Sequence, residues 1–163
     1  MFWRLTASEY TASSRTRNRA ALQGLVEAGT PPPGLVAYRD GEPVGWISVG
    51  PRAGYRRLAR SRHFTAVDDQ PVFSVICLRV APVHRGAGVS LALVQAAVTH
   101  ARSCGAAAVE AYPVCTDGRR LSALEVYCGT LDLFTAAGFH VVRQRTGAVS
   151  GGCPRAIVRR DLT

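Results

Sequence analysis

The residues with the clearest chemical potential are Arg85, Gly86, Gly88 and Ser90, which lie within the stretch from Val80 to Leu91. An apolar run precedes this stretch and an amphipathic segment follows it, which predicts the order strand, glycine-containing turn, helix. The first amides of such a helix have no partners within the helix, and the helix macrodipole places partial positive charge at the same end. The turn is therefore predicted to bind a phosphate group, with Arg85 adding a fixed cation beside it.

Three alternative roles for the same glycines fit the sequence less well. A glycine pair at a helix entrance is often turn chemistry alone. A dinucleotide-binding fingerprint that starts at Gly86 and Gly88 would need a third glycine at position 91, which is Leu. Glu110 stands where the ribose-binding acid of that fold would be, but it falls inside an apolar run and not at a strand end. A P-loop requires lysine, and the chain contains none. Both nucleotide-binding alternatives are therefore disfavoured.

The pattern Val-x-Pro-x-x-Arg-Gly-x-Gly-Val-Ser over residues 80–90 resembles motif A of the GCN5-related N-acetyltransferases (GNATs). In that family the form Gln/Arg-x-x-Gly-x-Gly/Ala binds the pyrophosphate of acetyl-coenzyme A. Arg85 and Gly88 match this form, and Ser90 stands where glycine or alanine is usual. The resemblance implies acetyl-CoA as co-substrate and no metal. The cofactor-binding residues that it implies are Leu78, Arg79, Val80, Arg85, Gly86, Ala87, Gly88, Val89 and Ser90.

The same resemblance implies the fold. It predicts a mixed α/β (α+β) protein with a mostly antiparallel central sheet, flanked by helices, in which two parallel central strands splay apart. The pantetheine arm of the cofactor would lie in this gap and pair its amides with main chain near residues 78–80. The resemblance covers residues 35–145, and the length predicts a single domain over residues 1–163.

Periodicity and turn residues predict the elements that position the turn. Before the turn, they are a helix over 7–29 capped by Thr6 or Ser8, hairpin strands over 35–39 and 44–49, a short basic helix or loop over 51–62, and an interior strand over 71–80. After the turn, they are a helix to Ser103, a parallel strand over 107–112, and a short helix from Leu131 closed by Gly138. Two strands over 139–145 and 155–161, around a flexible loop over 146–154, complete the sheet.

Acyl transfer to an amine requires a base for the amine and an acid for the leaving thiolate. Members of the family often place a glutamate on the central strand and a tyrosine four residues before a Gly-Phe pair. Here the central strand has no carboxylate, and the tyrosine position is Phe134. Glu110 on the neighbouring strand is the candidate base, and an outward-facing structural charge accounts for it equally well. Tyr127 is the candidate acid, with Tyr112 and Cys128 as alternatives, and core packing accounts for all three nearly as well.

Basic residues give the chain a net charge of +9, and all 20 of them are arginine. Five of these arginines lie within residues 52–62. A solvated helix face accounts for this cluster, and so does a patch that attracts an acidic acceptor or CoA. Aromatic residues do not alternate with the arginines as a base-stacking surface would require, so nucleic acid is a disfavoured partner.

Composition also bears on location and on the cysteines. No apolar run approaches the roughly 20 residues that span a bilayer, and the first residues do not have the pattern of a signal peptide. We therefore expect a cytoplasmic protein without a membrane partner. The five cysteines show no metal-binding spacing, so we expect reduced thiols, no disulfide and no metal.

These observations leave three hypotheses. The first is an N-acetyltransferase that moves an acetyl (acyl) group from acetyl-CoA to a primary amine, on a small molecule or a peptide, by direct attack in a ternary complex. The second is a non-catalytic acyl-CoA-binding or regulatory domain. The third, which rests on charge alone, is a basic nucleic-acid-binding module. A homodimer is compatible with all three, and nothing in the residues identifies the acceptor.

Overall fold

Six strands form one sheet at the centre of the protein. The computed structural model describes residues 1–29, 31–144 and 153–162. The strands are β1 (Leu35–Arg39), β2 (Glu42–Pro51), β3 (Val72–Val80), β4 (Ala108–Ala111), β5 (His140–Gln144) and β6 (Ala156–Asp161), and the α-helices are α1 (Ala7–Thr11), α2 (Arg15–Ala28), α3 (Arg56–Ala59), α4 (Val89–Ser103) and α5 (Leu131–Ala136).

The topology confirms the predicted mixed sheet. Its strand order is β1-β2-β3-β4-β6-β5. Strands β3 and β4 are parallel, as expected for two strands joined by the helix α4, and the other neighbouring pairs of described strands are antiparallel. The loop predicted to be flexible over 146–154 lies almost wholly outside the described residues.

The two parallel strands separate after four residue pairs. Val72 to Val75 pair with Ala108 to Ala111, after which β4 ends and β3 continues to Val80. Pro113 follows shortly after β4 and has no amide hydrogen to donate to a ladder. Among the described residues, the second half of β3 therefore has no strand partner on its β4 side, which leaves an opening between the two strands.

One predicted helix is two helices. The helix expected over 7–29 breaks into α1 and α2, because a second capping residue interrupts it. Thr6 caps α1 through a reciprocal pair of hydrogen bonds with Glu9. The Ser14 side chain then accepts from the Arg17 amide and starts α2, which ends at Gly29 in the left-handed conformation.

The helix α4 is held against the sheet by its apolar stripe. Its buried residues are Leu93, Val94, Ala97, Val98 and Ala101. Burial of each Leu or Val side chain contributes about 1.5–3 kcal/mol relative to exposure. At the start of the helix, a Cβ on Gly45 of β2 would lie 2.9 Å from Leu93 Cδ1 and 3.1 Å from Val89 Cγ1. Glycine at 45 therefore allows the N-terminus of α4 to approach β2 closely, which places the preceding turn beside the end of β3.

The opposite face of the sheet is covered by the N-terminal segment and α3. Successive residues of a strand point to opposite faces. Val75 of β3 packs with α4, whereas Ile76 belongs to a second buried cluster with Tyr55, Leu58, Phe64, Tyr112 and Ile157. Trp3 packs against this second cluster. The first residues of the chain are thereby brought next to the middle of β3.

The five cysteines are all free thiols. Within the described residues, no group of three or more His, Cys, Asp or Glu side chains is arranged to hold a metal ion. No described helix combines the length and the apolar character that crossing a membrane requires.

Candidate active site

The turn between β3 and α4 leaves the first amides of the helix open. Gly88 is the N-cap residue, with φ 77°, and no side chain caps this end of α4. Gly86 also has φ 77°. A Cβ built on either glycine meets no atom of the described chain within 4 Å. The glycines are therefore required by their backbone conformation and not by crowding, and the space in front of the amides is open.

A groove leads away from this turn along the unpaired half of β3. Its volume is about 600 Å³. One wall carries five of the nine predicted cofactor residues, namely Leu78, Arg79, Val80, Arg85 and Ser90. The opposite wall is formed by the loop before α5 and includes Leu124 and Tyr127. Gly86, Ala87 and Gly88 lie exposed in the turn between Arg85 and Ser90, and Val89 packs against the core instead.

Main-chain groups of β3 point into the groove in an alternating pattern. The Ala81 amide donates to the Val44 carbonyl of β2 at 2.9 Å. Because main-chain groups alternate along a strand, those of Leu78 and Val80 face away from β2 and toward the groove. The Leu78 amide is already bound, since it donates to the Tyr127 carbonyl at 2.7 Å. Of the predicted cofactor residues on β3, Val80 is therefore the other one whose amide faces the groove, two residues after the bond from Leu78 to Tyr127.

Tyr127 lies where the groove meets two further cavities. It is half-buried, and its main chain is held by the bond from Leu78. Burial raises the pKa of the Tyr127 phenol above its usual value of 10.0, and the Arg155 guanidinium, 5.6 Å from the ring centroid, opposes this shift in part. The phenol therefore keeps its proton near neutral pH and can donate it.

The two alternative acids lie inside the protein. Tyr112 is 2% exposed, and its hydroxyl accepts from Arg52 at 2.7 Å and donates to Glu110 at 3.2 Å. The Cys128 thiol donates to the Ile76 carbonyl, and burial raises its pKa to about 11. Neither side chain lines the groove, so the geometry favours Tyr127 among the three.

Glu110 is buried in an ion-pair network. It is 1% exposed and lies opposite Arg159 on β6, which donates to its carboxylate at 2.8 and 3.3 Å. Arg159 also pairs with Asp68. A buried charge on an interior strand requires such a partner. The alternation of polar and apolar residues could not reveal that Glu110 points inward, because β4 is buried on both faces. The structure does not bring Glu110 to the groove, and its role as the base stays a prediction.

The family model of the GNAT acetyltransferases matches residues 1–129. The chain belongs to the GNAT family. Its strand order, separated parallel strands and open turn agree with that membership, which confirms the resemblance inferred from motif A. No curated protein sequence matches this GNAT chain significantly.

Solved structures share the fold at low sequence identity. YncA from Salmonella typhimurium, solved with its cofactor acetyl-CoA, is similar with a TM-score of 0.60 and 20% identity over 92% of this chain and 75% of that one. The NatC complex bound to Gag peptide and CoA is similar with a TM-score of 0.60 and 14% identity over 88% and 79% of the two chains. Ribosomal-protein-alanine N-acetyltransferase from Brucella melitensis is similar with a TM-score of 0.57 and 21% identity over 92% and 80%.

Two cavities of this GNAT protein adjoin the groove at Tyr127. The first, of about 380 Å³, is mostly apolar and is lined by Phe2, Trp3, Trp46 and other residues. The second, of about 660 Å³, shares Phe2 and Trp3 with the first, is also mostly apolar, and is lined in addition by three arginines and His63. We name them the apolar cavity and the basic cavity. Tyr127 lines the groove and both cavities.

Most of the side chains that line the two cavities were not among the predicted site residues. Phe2 and Trp3 are near the start of the chain, and Arg155 precedes the last strand. The aromatic residues concentrated within positions 1–10 are a signal that could have pointed to Phe2 and Trp3. The arginine cluster over 52–62 is not merely a solvated face, because Arg52 bonds Tyr112 and Phe64, and Arg57 and Arg60 line the basic cavity.

Proposed function

We propose that this GNAT protein is an acetyl-CoA-dependent N-acetyltransferase that acetylates a primary amine within a ternary complex. The observation that carries the proposal is the position of Tyr127. It lines the groove that begins at Arg85 and Ser90, on either side of the open turn, and it also lines two further cavities. A cofactor on one side and an acceptor on the other can therefore meet at one residue. Residues 1–163 act as a single domain in this proposal.

The turn and the groove hold the cofactor. The first amides of α4 and the Arg85 side chain bind the pyrophosphate, as the macrodipole and the fixed cation both favour. Acetyl-CoA supplies an activated acetyl thioester. The Val80 amide faces the groove and polarises the thioester carbonyl, a role that needs a positioned donor and no special side chain. Holding both substrates at Tyr127 supplies much of the acceleration.

Tyr127 is the proposed acid. Its phenol stays protonated because burial raises its pKa, and it gives its proton to the leaving thiolate and is reprotonated from solvent. Among the described residues that line the groove and the two cavities, none is Asp or Glu. The acceptor therefore loses its proton to water in this proposal. The prediction that Glu110 serves as base remains open to test.

One observation favours the second candidate, a non-catalytic acyl-CoA-binding domain. Phe134 occupies the position where the family commonly has tyrosine, and it is completely buried against Phe139, with ring centroids 5.2 Å apart. It cannot donate a proton. If Tyr127 does not replace that function, the groove binds the cofactor without turnover.

Two measurements test the proposal. Calorimetry with acetyl-CoA measures binding to the turn and groove, and a thiol-release assay over a panel of amines measures transfer, with mass spectrometry of the products. Binding together with amine-dependent thiol release is expected. Tight binding without release for any amine favours the non-catalytic domain. Absence of binding at millimolar acetyl-CoA contradicts both.

A further inference from the structure

Arg155 is a buried cation without an acidic partner. It is 5% exposed, and its guanidinium donates to the carbonyls of Tyr112 at 3.0 Å and Glu125 at 3.2 Å. No carboxylate side chain forms an ion pair with it, and all 11 Asp and Glu residues of the chain are among the described residues. Arg159, only four residues further on, pairs with two carboxylates. Because burial of an unpaired charge is costly, Arg155 favours an anion from outside the chain.

Arg155 shares the basic cavity with two further arginines. Arg57 and Arg60 line this cavity together with His63, and no Asp or Glu is among its described lining residues. The Arg57 guanidinium stacks on the Phe2 ring at 3.9 Å, and its buried Nε has no hydrogen-bond partner within the described chain. A cavity lined by one sign of charge attracts the opposite sign. The basic cavity therefore suits a carboxylate and repels a second cationic group.

The apolar cavity next to it differs in its charge, because apolar surface predominates in both cavities. Its lining includes Phe2, Tyr10, Leu22 and Trp46. Arg4 is the one charged side chain among its described lining residues, whereas three arginines line the basic cavity. This cavity therefore suits an apolar side chain.

From these features, and resting on the acetyltransferase function proposed above, we propose that the acceptor is a free α-amino acid with an apolar side chain. Such a molecule carries amine, carboxylate and apolar group on one carbon, and Tyr127 lines both the basic cavity and the apolar cavity. Arg155 lies 5.6 Å from the Tyr127 ring, so a carboxylate near Arg155 leaves the amine near Tyr127. Polyamines and lysine side chains of basic peptides are disfavoured acceptors.

The reaction is balanced without a further reagent. The neutral amine nitrogen attacks the acetyl carbon, so that an N–C bond forms and the C–S bond breaks. The amine proton passes to water, the CoA thiolate takes the Tyr127 proton, and the Tyr127 phenolate is reprotonated from water. The products are the N-acetyl amino acid and CoA.

Paired acceptors that differ only in the carboxylate test this inference. L-phenylalanine is compared with phenethylamine, and L-leucine with isoamylamine, in the thiol-release assay, with spermidine as a cationic acceptor. We expect kcat/KM to be at least about 10-fold higher for each amino acid than for its decarboxylated partner, because the amine alone leaves the arginines without an anion. Spermidine is expected to be the poorest acceptor.

A pair of variants tests the arginines themselves. In the double variant Arg57→Gln with Arg60→Gln, the ratio of kcat/KM for phenylalanine to that for phenethylamine should fall toward one. Arg62→Gln is the matched control, because Arg62 is an exposed arginine of the same segment that does not line either cavity, and it should keep the wild-type ratio. Arg155 is left intact because its removal endangers folding.

The outcomes separate the two proposals. Equal or faster turnover of the decarboxylated amines overturns the amino-acid inference and leaves the acetyltransferase function intact. If acetyl-CoA binds and no amine is turned over, calorimetry of phenylalanine and phenethylamine with the protein–CoA complex decides. Preferential binding of phenylalanine supports the inference, and binding without preference, or none, overturns it. Failure to bind acetyl-CoA overturns both proposals together.

Discussion

The two sides of Tyr127 are built in different ways. On the cofactor side, the proposed contacts come from main-chain amides and one arginine within residues 78–90, a continuous part of the chain. On the acceptor side, they come from side chains near the start of the chain, in the segment 57–64 and at Arg155. Main-chain binding requires a particular backbone conformation, which glycine reveals in the sequence. Side-chain binding requires only that distant residues meet, and it leaves no local pattern.

Changing one glycine of the turn gives the largest expected effect and tests the main-chain side of this comparison. In Gly88→Trp, the positive φ is strained and the indole occupies the open space before the helix amides. We expect the affinity for acetyl-CoA, measured by calorimetry, to fall by about 100-fold or more.

The control for this variant lies at the other end of the same helix. Gly105 has φ 74°, and a Cβ there also meets no described atom within 4 Å. Gly105→Trp should therefore carry a similar conformational cost and leave the acetyl-CoA affinity unchanged. Equal affinity losses in both variants would show that the effect arises from helix stability and not from the proposed phosphate site.

Glu110→Gln tests whether Glu110 has a structural role or belongs to the proposed acceptor side. The carboxylate accepts two bonds from Arg159 in a buried network, so its loss leaves part of a buried charge uncompensated. We expect the free energy of unfolding, measured by urea titration, to fall by about 3–5 kcal/mol.

The exposed Glu42 provides the matched control, because Glu42→Gln should change this free energy by less than about 0.5 kcal/mol. If Glu110→Gln instead keeps its stability and alters the pH dependence of acetyl transfer, Glu110 belongs to the catalytic machinery and the sequence-based prediction is supported.

Tyr127→Phe removes the proposed proton donor at the junction of the two sides. We expect kcat in the thiol-release assay to fall by about 100-fold, the usual scale of general acid catalysis. Acetyl-CoA affinity should be retained, since the bond from Leu78 goes to the Tyr127 carbonyl and not to its side chain. Tyr38→Phe, at a tyrosine that is 66% exposed on the edge strand β1, is the control with unchanged kcat. An unaltered kcat in Tyr127→Phe excludes Tyr127 as the acid.

The pH profile carries the smallest expected effect. The acceptor reacts as a neutral amine, so kcat/KM should rise with pH toward the pKa of that amine. Tyr127 acts in its protonated form, and its pKa is raised above 10.0, so activity should not decline below about pH 10. A decline of kcat between about pH 8 and pH 9 in the wild type would contradict the assignment of Tyr127.

The folded elements were largely predictable, and the exceptions arise from one competing helix cap and from one contact between distant strands. Strands β1 to β3, the turn and α4 follow from apolar runs and glycines that lie next to each other in the chain. The break between α1 and α2 was missed because Ser14 acts as a cap that competes with continuation of the helix. Glu110 could not be placed from periodicity, since its partner Arg159 lies on β6 and is adjacent only in the sheet.

By itself, the sequence determined the turn that we assign to the cofactor. That turn depends on backbone conformation, and Gly86, Gly88 and Arg85 encode it within a few consecutive residues. Only the tertiary structure decided the proposed acceptor side, because packing brings Phe2, Trp3, Arg57 and Arg155 together with Tyr127 around one cavity from distant parts of the chain. The physical reason is that a site made of side chains exists only after the sheet and its covering segments have folded.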